Sequence, residues 1–170
     1  KWDLMKDFTS GSVAVTATRC ILDTIELKDV TSIVTKITKD INYDAVAKEI
    51  RALGRKAVAF AIDVTDYKQV KAMYEIAVQE FGTVDFVVNS AGVCLTEDLT
   101  TQSVNDIDLS IDVNIKGTIY SCREALAIMR PKKYGKIVNM ASIAAKACLG
   151  GFSVYSATKA AVLAATASLG

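Results

Sequence analysis

Short apolar runs alternate with amphipathic helical stretches along this chain, and this alternation limits the folds that it can adopt. Three runs, at residues 56–62, 84–88 and 136–141, are typical of buried strands. The stretches between them carry apolar residues at helical spacing. The pattern predicts an α/β fold in three layers, α/β/α, with a doubly wound parallel sheet. Right-handed crossovers then bring the carboxyl ends of the strands, and the residues that follow them, to one edge of the sheet.

The composition excludes several classes of function. The chain has 20 Lys and Arg against 19 Asp and Glu, so it has no general attraction for nucleic acid or anionic lipid. No apolar run approaches the roughly 18 residues that span a bilayer, and the polar first residues are not a signal peptide. We expect one globular, cytoplasmic domain over residues 1–170, with neither a membrane nor a nucleic acid as partner.

Histidine is absent from the sequence, and this bears on metal binding and on catalysis. The four cysteines, at positions 20, 94, 122 and 148, show no C-x-x-C spacing. Zinc sites and Ser-His-Asp triads therefore lose their usual ligand and base. We predict no metal site.

Three helices follow from apolar residues spaced three and four apart. The first ends at Gly54. The second begins with a capping box at Asp66 and ends at Gly82. The third spans about residues 103–130, with Pro131 just beyond it. The predicted buried stripes are Val46, Ile50 and Leu53; Val70, Met73, Ala77 and Phe81; and Ile107, Ile111, Ile115, Ile119 and Leu126.

Tyr155 and Lys159 are four residues apart in a fourth helical stretch, so they lie on one face with the ammonium able to reach the phenol. Lowering a phenol pKa from about 10 by about three units requires about 4 kcal/mol in favour of the phenolate. One positive charge about 4 Å away, at an effective dielectric of about 20, supplies energy of that order. We therefore predict that Lys159 makes Tyr155 an acid and base near neutral pH. The alternative is an ordinary helix surface.

Other polar residues stand at matching places in the pattern. Ser142 follows the run at 136–141, Asn89-Ser90-Ala91-Gly92 follows the run at 84–88, and Asn114 lies within a helix, where asparagine is unfavourable. This constellation resembles the short-chain dehydrogenase/reductases, whose Asn-Asn-Ala-Gly, mid-helix Asn, Ser and Tyr-x-x-x-Lys occur in this order at similar spacings. Ser90 departs from the second Asn. The resemblance covers about residues 54–170.

The resemblance implies a Rossmann-like fold and an NAD(P)-dependent oxidoreductase that interconverts a secondary alcohol and a ketone. It implies that Tyr155 exchanges a proton with the substrate oxygen and that Lys159 lowers the Tyr155 pKa and binds the nicotinamide ribose. Ser142 would hydrogen-bond the substrate oxygen, and Asn114 would hold a water of the proton relay. Alternatively, Asn114 is an amide satisfied in the core.

The resemblance also implies features beyond the reacting groups. Residues 144–152 would line part of an apolar substrate pocket, for 3-oxoacyl thioesters, polyols or cyclic alcohols among others. Further strands and a substrate-covering segment would lie downstream of Gly170, so we expect a fold that lacks its C-terminal part. A homotetramer is expected by analogy.

Five residues, in addition to Asp40, are expected to bind the adenosine half of the cofactor. The resemblance places Asp63 and Val64 against the adenine ring, although an acid at a strand end can equally form a turn. Small residues after the fourth strand leave room for a dinucleotide, and the Asn89 amide can also tie neighbouring strands together. The residues of this second group are Asn89, Ala91 and Gly92.

The glycine-rich phosphate loop of the family is missing. Residues 16–22 read Thr-Ala-Thr-Arg-Cys-Ile-Leu, and no glycine occurs between Gly11 and Gly54, so side chains would crowd the phosphates. Asp40 follows the second strand, which we place within residues 33–39. An acid there accepts hydrogen bonds from the ribose hydroxyls and repels a 2'-phosphate, which favours NAD without excluding NADP. Asp40 can equally be a helix N-terminal acid.

Two other interpretations stay open. The missing glycines favour a non-catalytic relative, a binding or scaffold protein that kept the fold and lost the phosphate loop. The intact Ser142, Tyr155 and Lys159 oppose it, because a scaffold has no physical need for them. A truncated and misfolded gene product is the third possibility.

Overall fold

The computed structural model of the protein describes residues 32–35, 43–147 and 149–169. It divides into two compact units, with the boundary between Ile62 and Asp63. The residues of the expected phosphate loop, 16–22, and Asp40 lie outside the described residues. The assignment of residues 1–170 to a single domain stays a prediction.

In the first unit, two parallel strands pack with one helix. Strand β1 (Ser32–Thr35) pairs with β2 (Ala57–Phe60), and helix α1 (Tyr43–Ala52) connects them. Ala47 and Ile50 of α1 form a buried cluster with Ala57. The strand predicted at residues 56–62 is thus confirmed over a shorter range. The strand predicted within residues 33–39 is also found, but it begins one residue earlier and ends at Thr35.

The end of α1 corrects one predicted core residue. Leu53 lies beyond the last helical residue and is 73% exposed, so the apolar stripe stops one turn earlier than its spacing suggests. Gly54 has a φ of 76°, in the left-handed region, as predicted for the residue past a helix end.

The second unit repeats the alternation of strands and helices. Strand β3 (Phe86–Asn89) pairs in parallel with β4 (Lys136–Asn139), with Asn89 opposite Asn139. The helices are α2 (Tyr67–Phe81), α3 (Val104–Ile111), a π-helix (Asp112–Gly117), α4 (Thr118–Lys132), a 3-10 turn (Ile143–Ala145) and α5 (Ser153–Leu169). This is a Rossmann-like α/β architecture, as predicted. None of the helices described is long and apolar enough to cross a bilayer.

The ends of α2 follow the predicted capping pattern in part. The Asp66 carboxylate accepts the backbone N–H of Lys68 at 2.8 Å, and Gly82 ends the helix with a φ of 80°. Gln69 does not close the capping box on the Asp66 N–H. Its amide donates to the Asp66 carboxylate at 3.0 Å, and its oxygen accepts the N–H of Asp63 at 3.0 Å. The turn that precedes the helix is thereby joined to its first turn.

A π-helix divides the third predicted helix and shifts its buried face. Ile111 and Ile119, expected in the core, are 37% and 47% exposed. The wider π turn holds an additional residue, so a stripe extrapolated with α-helical spacing turns outward beyond it, at Ile119. Ile111 precedes the π-helix, and the buried residue at this end of α3 is its neighbour Ser110. The buried side chains along the π-helix and α4 are instead Val113, Asn114, Gly117, Thr118, Ser121, Cys122, Ala125 and Met129.

Pro131 lies inside α4 rather than beyond it, which corrects the predicted end of this helix. The last turn is held from outside, because the Lys132 ammonium donates to the Thr83 hydroxyl at 2.6 Å and to the Val84 carbonyl at 2.8 Å and pairs with Asp85. These tertiary bonds offset the N–H that proline lacks.

Candidate active site

Tyr155 and Lys159 lie on one face of α5, as their spacing predicts. The Lys159 side chain is buried, and its Nζ lies 5.8 Å from the centroid of the Tyr155 ring. The same ammonium donates to the Met140 carbonyl at 2.8 Å, just after β4. This bond fixes the lysine beside the tyrosine and leaves two N–H donors of the ammonium for other partners.

Ser142 lies where the chain leaves β4. Its backbone is extended, and its hydroxyl caps the 3-10 turn by accepting the N–H of Ala144 at 3.2 Å. A hydrogen bond with Ser142 also lowers the pKa of Tyr155, although burial outweighs it. The serine, tyrosine and lysine of the sequence pattern are therefore brought together at the carboxyl end of β4.

Burial works against the predicted acidity of Tyr155. Burial has the largest effect on Tyr155 and raises its pKa above 10.0. The hydrogen bond with Ser142 lowers this pKa, and the nearby Cys94 thiol raises it. Burial also lowers the pKa of Lys159. The predicted lowering of the Tyr155 pKa by Lys159 is thus not found in the protein alone. Removal from water disfavours both charged forms, and the ammonium points to the Met140 carbonyl.

Asn114 is fully buried in the π-helix, with its whole amide bonded to protein atoms. Its Oδ1 accepts the Val93 N–H at 2.8 Å, and its Nδ2 donates to the Val93 carbonyl and to the Thr158 Oγ1, both at 2.9 Å. The Thr118 hydroxyl donates to the Asn114 carbonyl at 2.8 Å. This arrangement agrees with the alternative of a core amide. A role in a proton relay stays a proposal.

Asn89 ties β3 to its neighbours. Its Nδ2 donates to the Asn139 Oδ1 at 2.8 Å, and its Oδ1 accepts the Ser121 hydroxyl at 2.5 Å. The Cys122 thiol lies 3.4 Å from both amides. This network supports the structural interpretation of Asn89, since its amide links β3 with β4 and α4.

The residues after Asn89 form a narrow space beside the catalytic candidates. A Cβ at Gly92 would lie 3.2 Å from the Asn114 Oδ1 and 3.3 Å from the Lys159 Nζ. The backbone at Gly92 therefore approaches the lysine closely. The Ser90 hydroxyl is buried without a hydrogen-bond partner among the described residues, and Ala91 is half-buried. An orphan buried hydroxyl is a feature that suits a bound cofactor.

Asp63 and Val64 precede α2. The Asp63 carboxylate accepts the backbone N–H of Thr65 at 2.8 Å and its hydroxyl at 2.7 Å, which is the geometry of a turn former. Val64 packs closely on the π-helix, because a Cβ at Gly117 would lie 2.9 Å from its Cγ2. The binding of adenine by these two residues stays a prediction.

A cavity of about 440 Å³ is lined by residues of the expected pocket wall, among them Ala144, Ala147 and Leu149. Its helical wall is the face of α5 with Ser153, Ser156, Ala157 and Ala160. At 100° per residue, this face is nearly opposite to that of Tyr155. The cavity is therefore not the space next to the phenol.

Two neighbours of the site were not predicted from the sequence. Cys94 is exposed, and its thiol lies close enough to Tyr155 and Lys159 to act on the pKa of each. Thr158 is buried against Asn114. The sequence signal for Cys94 was its position just after Asn89-Ser90-Ala91-Gly92. The signal for Thr158 was its position inside Tyr-x-x-x-Lys.

Comparison with known proteins agrees with this geometry. The profile of the family described as short chain dehydrogenase matches residues 19–170. An uncharacterized oxidoreductase of Staphylococcus aureus strain USA300 is 44% identical over 100 residues, which are 59% of this chain and 43% of that protein. The chain thus spans less than half the length of this relative.

Two solved structures share the fold. A short-chain dehydrogenase from Streptomyces avermitilis has a TM-score of 0.76 and 25% identity, over 94% of this chain and 55% of that one. A short chain dehydrogenase from Burkholderia cenocepacia J2315, in complex with NADP, has a TM-score of 0.72 and 30% identity, over 83% of this chain and 56% of that one. With its serine, tyrosine and lysine gathered at the end of β4, the chain belongs to the short-chain dehydrogenase/reductase family.

Proposed function

We propose that the protein is a cytoplasmic NAD(P)-dependent oxidoreductase that interconverts a secondary alcohol and a ketone. The observation that carries the proposal is the meeting of Ser142, Tyr155 and Lys159 at the carboxyl end of β4, with the Lys159 Nζ 5.8 Å from the Tyr155 ring centroid. Family membership supports it. Its partners would be the cofactor and a small alcohol or ketone, without nucleic acid or membrane.

The side chains divide the proton chemistry between them. Tyr155 donates its phenolic proton to the ketone oxygen in reduction and takes a proton from the alcohol in oxidation. Burial favours the protonated phenol, the form that reduction requires. Ser142 donates a hydrogen bond to the substrate oxygen, where negative charge develops. The nicotinamide, when bound, exchanges a hydride with the substrate carbon.

Lys159 and the end of β3 would hold the cofactor. Lys159 has two N–H donors left after its bond to Met140, and these suit ribose hydroxyls. The Ser90 hydroxyl has no hydrogen-bond partner within the part of the chain that the structure describes and could therefore bond the cofactor. Asn89, Ala91, Asp63 and Val64 would border the adenosine half. Asn114 would support the proton relay.

Asp40 is the proposed selector of NAD over NADP. Its carboxylate would accept hydrogen bonds from the ribose hydroxyls and repel a 2'-phosphate. The structure of the Burkholderia cenocepacia protein contains NADP, so both NADH and NADPH are included in the test.

A homotetramer is proposed from the family. An apolar groove of about 630 Å³ between α4 and α5 supports it, since Ile119, Leu126 and Leu169 are among its lining residues. Association of two such faces would remove these side chains from water.

A titration with NADH and, separately, NADPH tests the proposal, with the rise in nicotinamide fluorescence as the signal. We expect NADH to bind more tightly, and Asp40→Ala to reduce that preference. Secondary alcohols should then reduce NAD at 340 nm. Binding of neither cofactor would favour the second candidate, a non-catalytic relative, which the lack of glycine at residues 16–22 supports.

A further inference from the structure

Thr158 lies inside the Tyr-x-x-x-Lys motif but faces the core. Its side chain is 1% exposed. Its Oγ1 donates to the Tyr155 carbonyl at 2.8 Å and accepts the Asn114 Nδ2 at 2.9 Å. One hydroxyl therefore joins the first turn of α5 to the π-helix.

The direction of each hydrogen bond in the series from Val93 to Tyr155 follows from the groups at its two ends. The Val93 N–H can only donate, so the atom of Asn114 that faces it is Oδ1. The Val93 carbonyl can only accept, and it takes one Nδ2 hydrogen, so the other is left for Thr158. Thr158 must then give its own hydrogen to the Tyr155 carbonyl. Each bond that joins Val93, Asn114, Thr158 and Tyr155 therefore has a defined donor and acceptor.

The bonds link three segments that surround the proposed reaction site. Val93 follows Gly92, whose backbone approaches the Lys159 ammonium. Tyr155 is the proposed acid and base. Asn114 and Thr158 lie between these segments and are almost inaccessible to water, so a solvent molecule cannot readily take over a lost partner.

We propose that Thr158 is a positioning residue, whose hydroxyl sets the Asn114 amide and so fixes the turn of Tyr155 relative to the Gly92–Val93 segment. The proposal rests on the proposed function, because it assigns to Thr158 the geometry of that reaction. Without the hydroxyl, one Asn114 hydrogen has no acceptor, and the amide must turn away from Val93 or lose a bond.

Thr158→Val tests this with little change of shape, and Thr158→Ser restores the hydroxyl. Thr166→Val is the matched control, because Thr166 makes the same two kinds of bond in the same helix but is exposed to water. Its Oγ1 accepts the Asn139 Nδ2 at 2.9 Å and donates to the Val162 carbonyl at 2.7 Å. Three quantities are measured: hydrogen exchange at the Val93 amide by NMR, NADH binding by fluorescence, and kcat and KM with secondary alcohols.

In Thr158→Val, we expect hydrogen exchange at the Val93 amide to be at least about tenfold faster. The reason is that the buried bond from the Val93 N–H to the Asn114 Oδ1 is no longer held in place by Thr158. The Met140 amide, which donates to the Asn89 carbonyl at 3.0 Å, should change less and serves as the internal reference. The kcat should fall about tenfold or more while KM and the NADH Kd change less than about twofold. Thr158→Ser should keep the wild-type exchange rate at Val93 and the wild-type kcat, and Thr166→Val should change neither the exchange rate nor kcat.

The outcomes separate the two proposals. If Thr158→Val keeps the wild-type exchange at Val93, or keeps kcat while the exchange changes, Thr158 does not position the site. A wild-type protein that binds neither NADH nor NADPH refutes the proposed function instead, and with it the catalytic part of the role of Thr158. An equal loss in Thr158→Ser would show that the shape of the side chain, not its hydroxyl, matters.

Discussion

In the proposed function, the phenol of Tyr155 exchanges a proton with the substrate oxygen. Tyr155→Phe removes that proton and keeps the ring, which packs against Phe152 with centroids 6.3 Å apart. We expect turnover to fall by about 10³-fold or more, while the NADH Kd stays within about twofold of wild type. Initial rates with secondary alcohols and a fluorescence titration measure the two effects.

Tyr134→Phe is the control for this change. Tyr134 is 56% exposed and lies just after α4, so the loss of its hydroxyl should leave kcat unchanged. An active Tyr155→Phe protein would refute the proposed mechanism. Equal losses in both variants would point to general damage.

Tyr74 sets a second expectation, on stability at high pH. Its hydroxyl bonds the Ser121 Oγ at 2.7 Å, and burial raises its pKa above the ordinary 10.0. Above pH 10 the unfolded chain therefore releases a proton that the folded chain retains, so the free energy of unfolding falls as pH rises. Tyr155, whose pKa is also raised, contributes with the same sign.

Tyr74→Phe should flatten this decline by up to about 1.4 kcal/mol per pH unit between about pH 10 and 11. Urea unfolding at several pH values from 8 to 11 measures the slope. Tyr134→Phe, which removes an exposed phenol, should keep the wild-type slope. A Tyr74→Phe slope equal to that of wild type would contradict the expectation.

The positions of the candidate site residues could be predicted from the sequence, but their energetics could not. The spacing of Ser142, Tyr155 and Lys159 predicted their meeting, because four residues make about one helical turn and strand ends share an edge. The raised pKa of Tyr155 could not be foreseen from one nearby charge, since it depends on how much water the fold removes. The role of Thr158 depends on bonds to Asn114, 44 residues away.

At the scale of elements, Gly117 places the π-helix close to Val64. A Cβ at Gly117 would lie 2.9 Å from the Val64 Cγ2, which is closer than carbon atoms pack, and 3.1 Å from the Val64 Cβ, which is a tight contact. Gly117→Ala should therefore lower the free energy of unfolding by about 1–3 kcal/mol, although alanine normally stabilises a helix interior relative to glycine. Urea unfolding gives the value.

Val64→Ala supplies the matched test of this contact, because it removes the atom that the new methyl would meet. In the Gly117→Ala/Val64→Ala double variant the two losses should be less than additive. Additive losses, or a Gly117→Ala protein more stable than wild type, would show that the contact does not limit the packing.

The sequence predicted the helices and their ends well, but it predicted less well which face of each helix is buried. Gly54 and Gly82 ended their helices as predicted, because only a residue without a Cβ easily takes the left-handed conformation. Ile119 was assigned to the core by a spacing that assumed one uninterrupted α-helix. Nothing in the residues 112–117 indicates a π turn, which is stabilised by contacts made elsewhere in the fold.

At the scale of the whole molecule, the apolar groove between α4 and α5 predicts self-association. Ile119 lines it and is 47% exposed, so an aspartate there would place a charge in the proposed interface. We expect sedimentation velocity to show a tetramer for wild type, and smaller species for Ile119→Asp at the same micromolar concentration.

Leu53→Asp is the control for the groove. Leu53 is the more exposed residue, at 73%, and lies after α1 rather than on α4 or α5. Its replacement should leave the sedimentation coefficient unchanged. A monomeric wild type would remove the proposed tetramer without touching the proposed chemistry.

The parallel α/β architecture followed from the alternation of apolar runs and helical stretches, since a parallel pair needs a long crossover. The strand pairing of β3 with β4 placed Asn89 opposite Asn139, which the sequence could not specify. Register depends on which residues meet across the pair, and both runs offer several apolar frames.

The π-helix also determines what a one-codon deletion in the gene would do to the fold. An α-helix turns about 100° per residue, so the loss of one codon within residues 112–117 would rotate all of α4 by about that angle relative to α3. The helix would survive, but Ser121 and Cys122 would leave Asn89. A substitution in this segment changes the contacts of one side chain, whereas a single in-frame deletion changes the whole face of α4 at once.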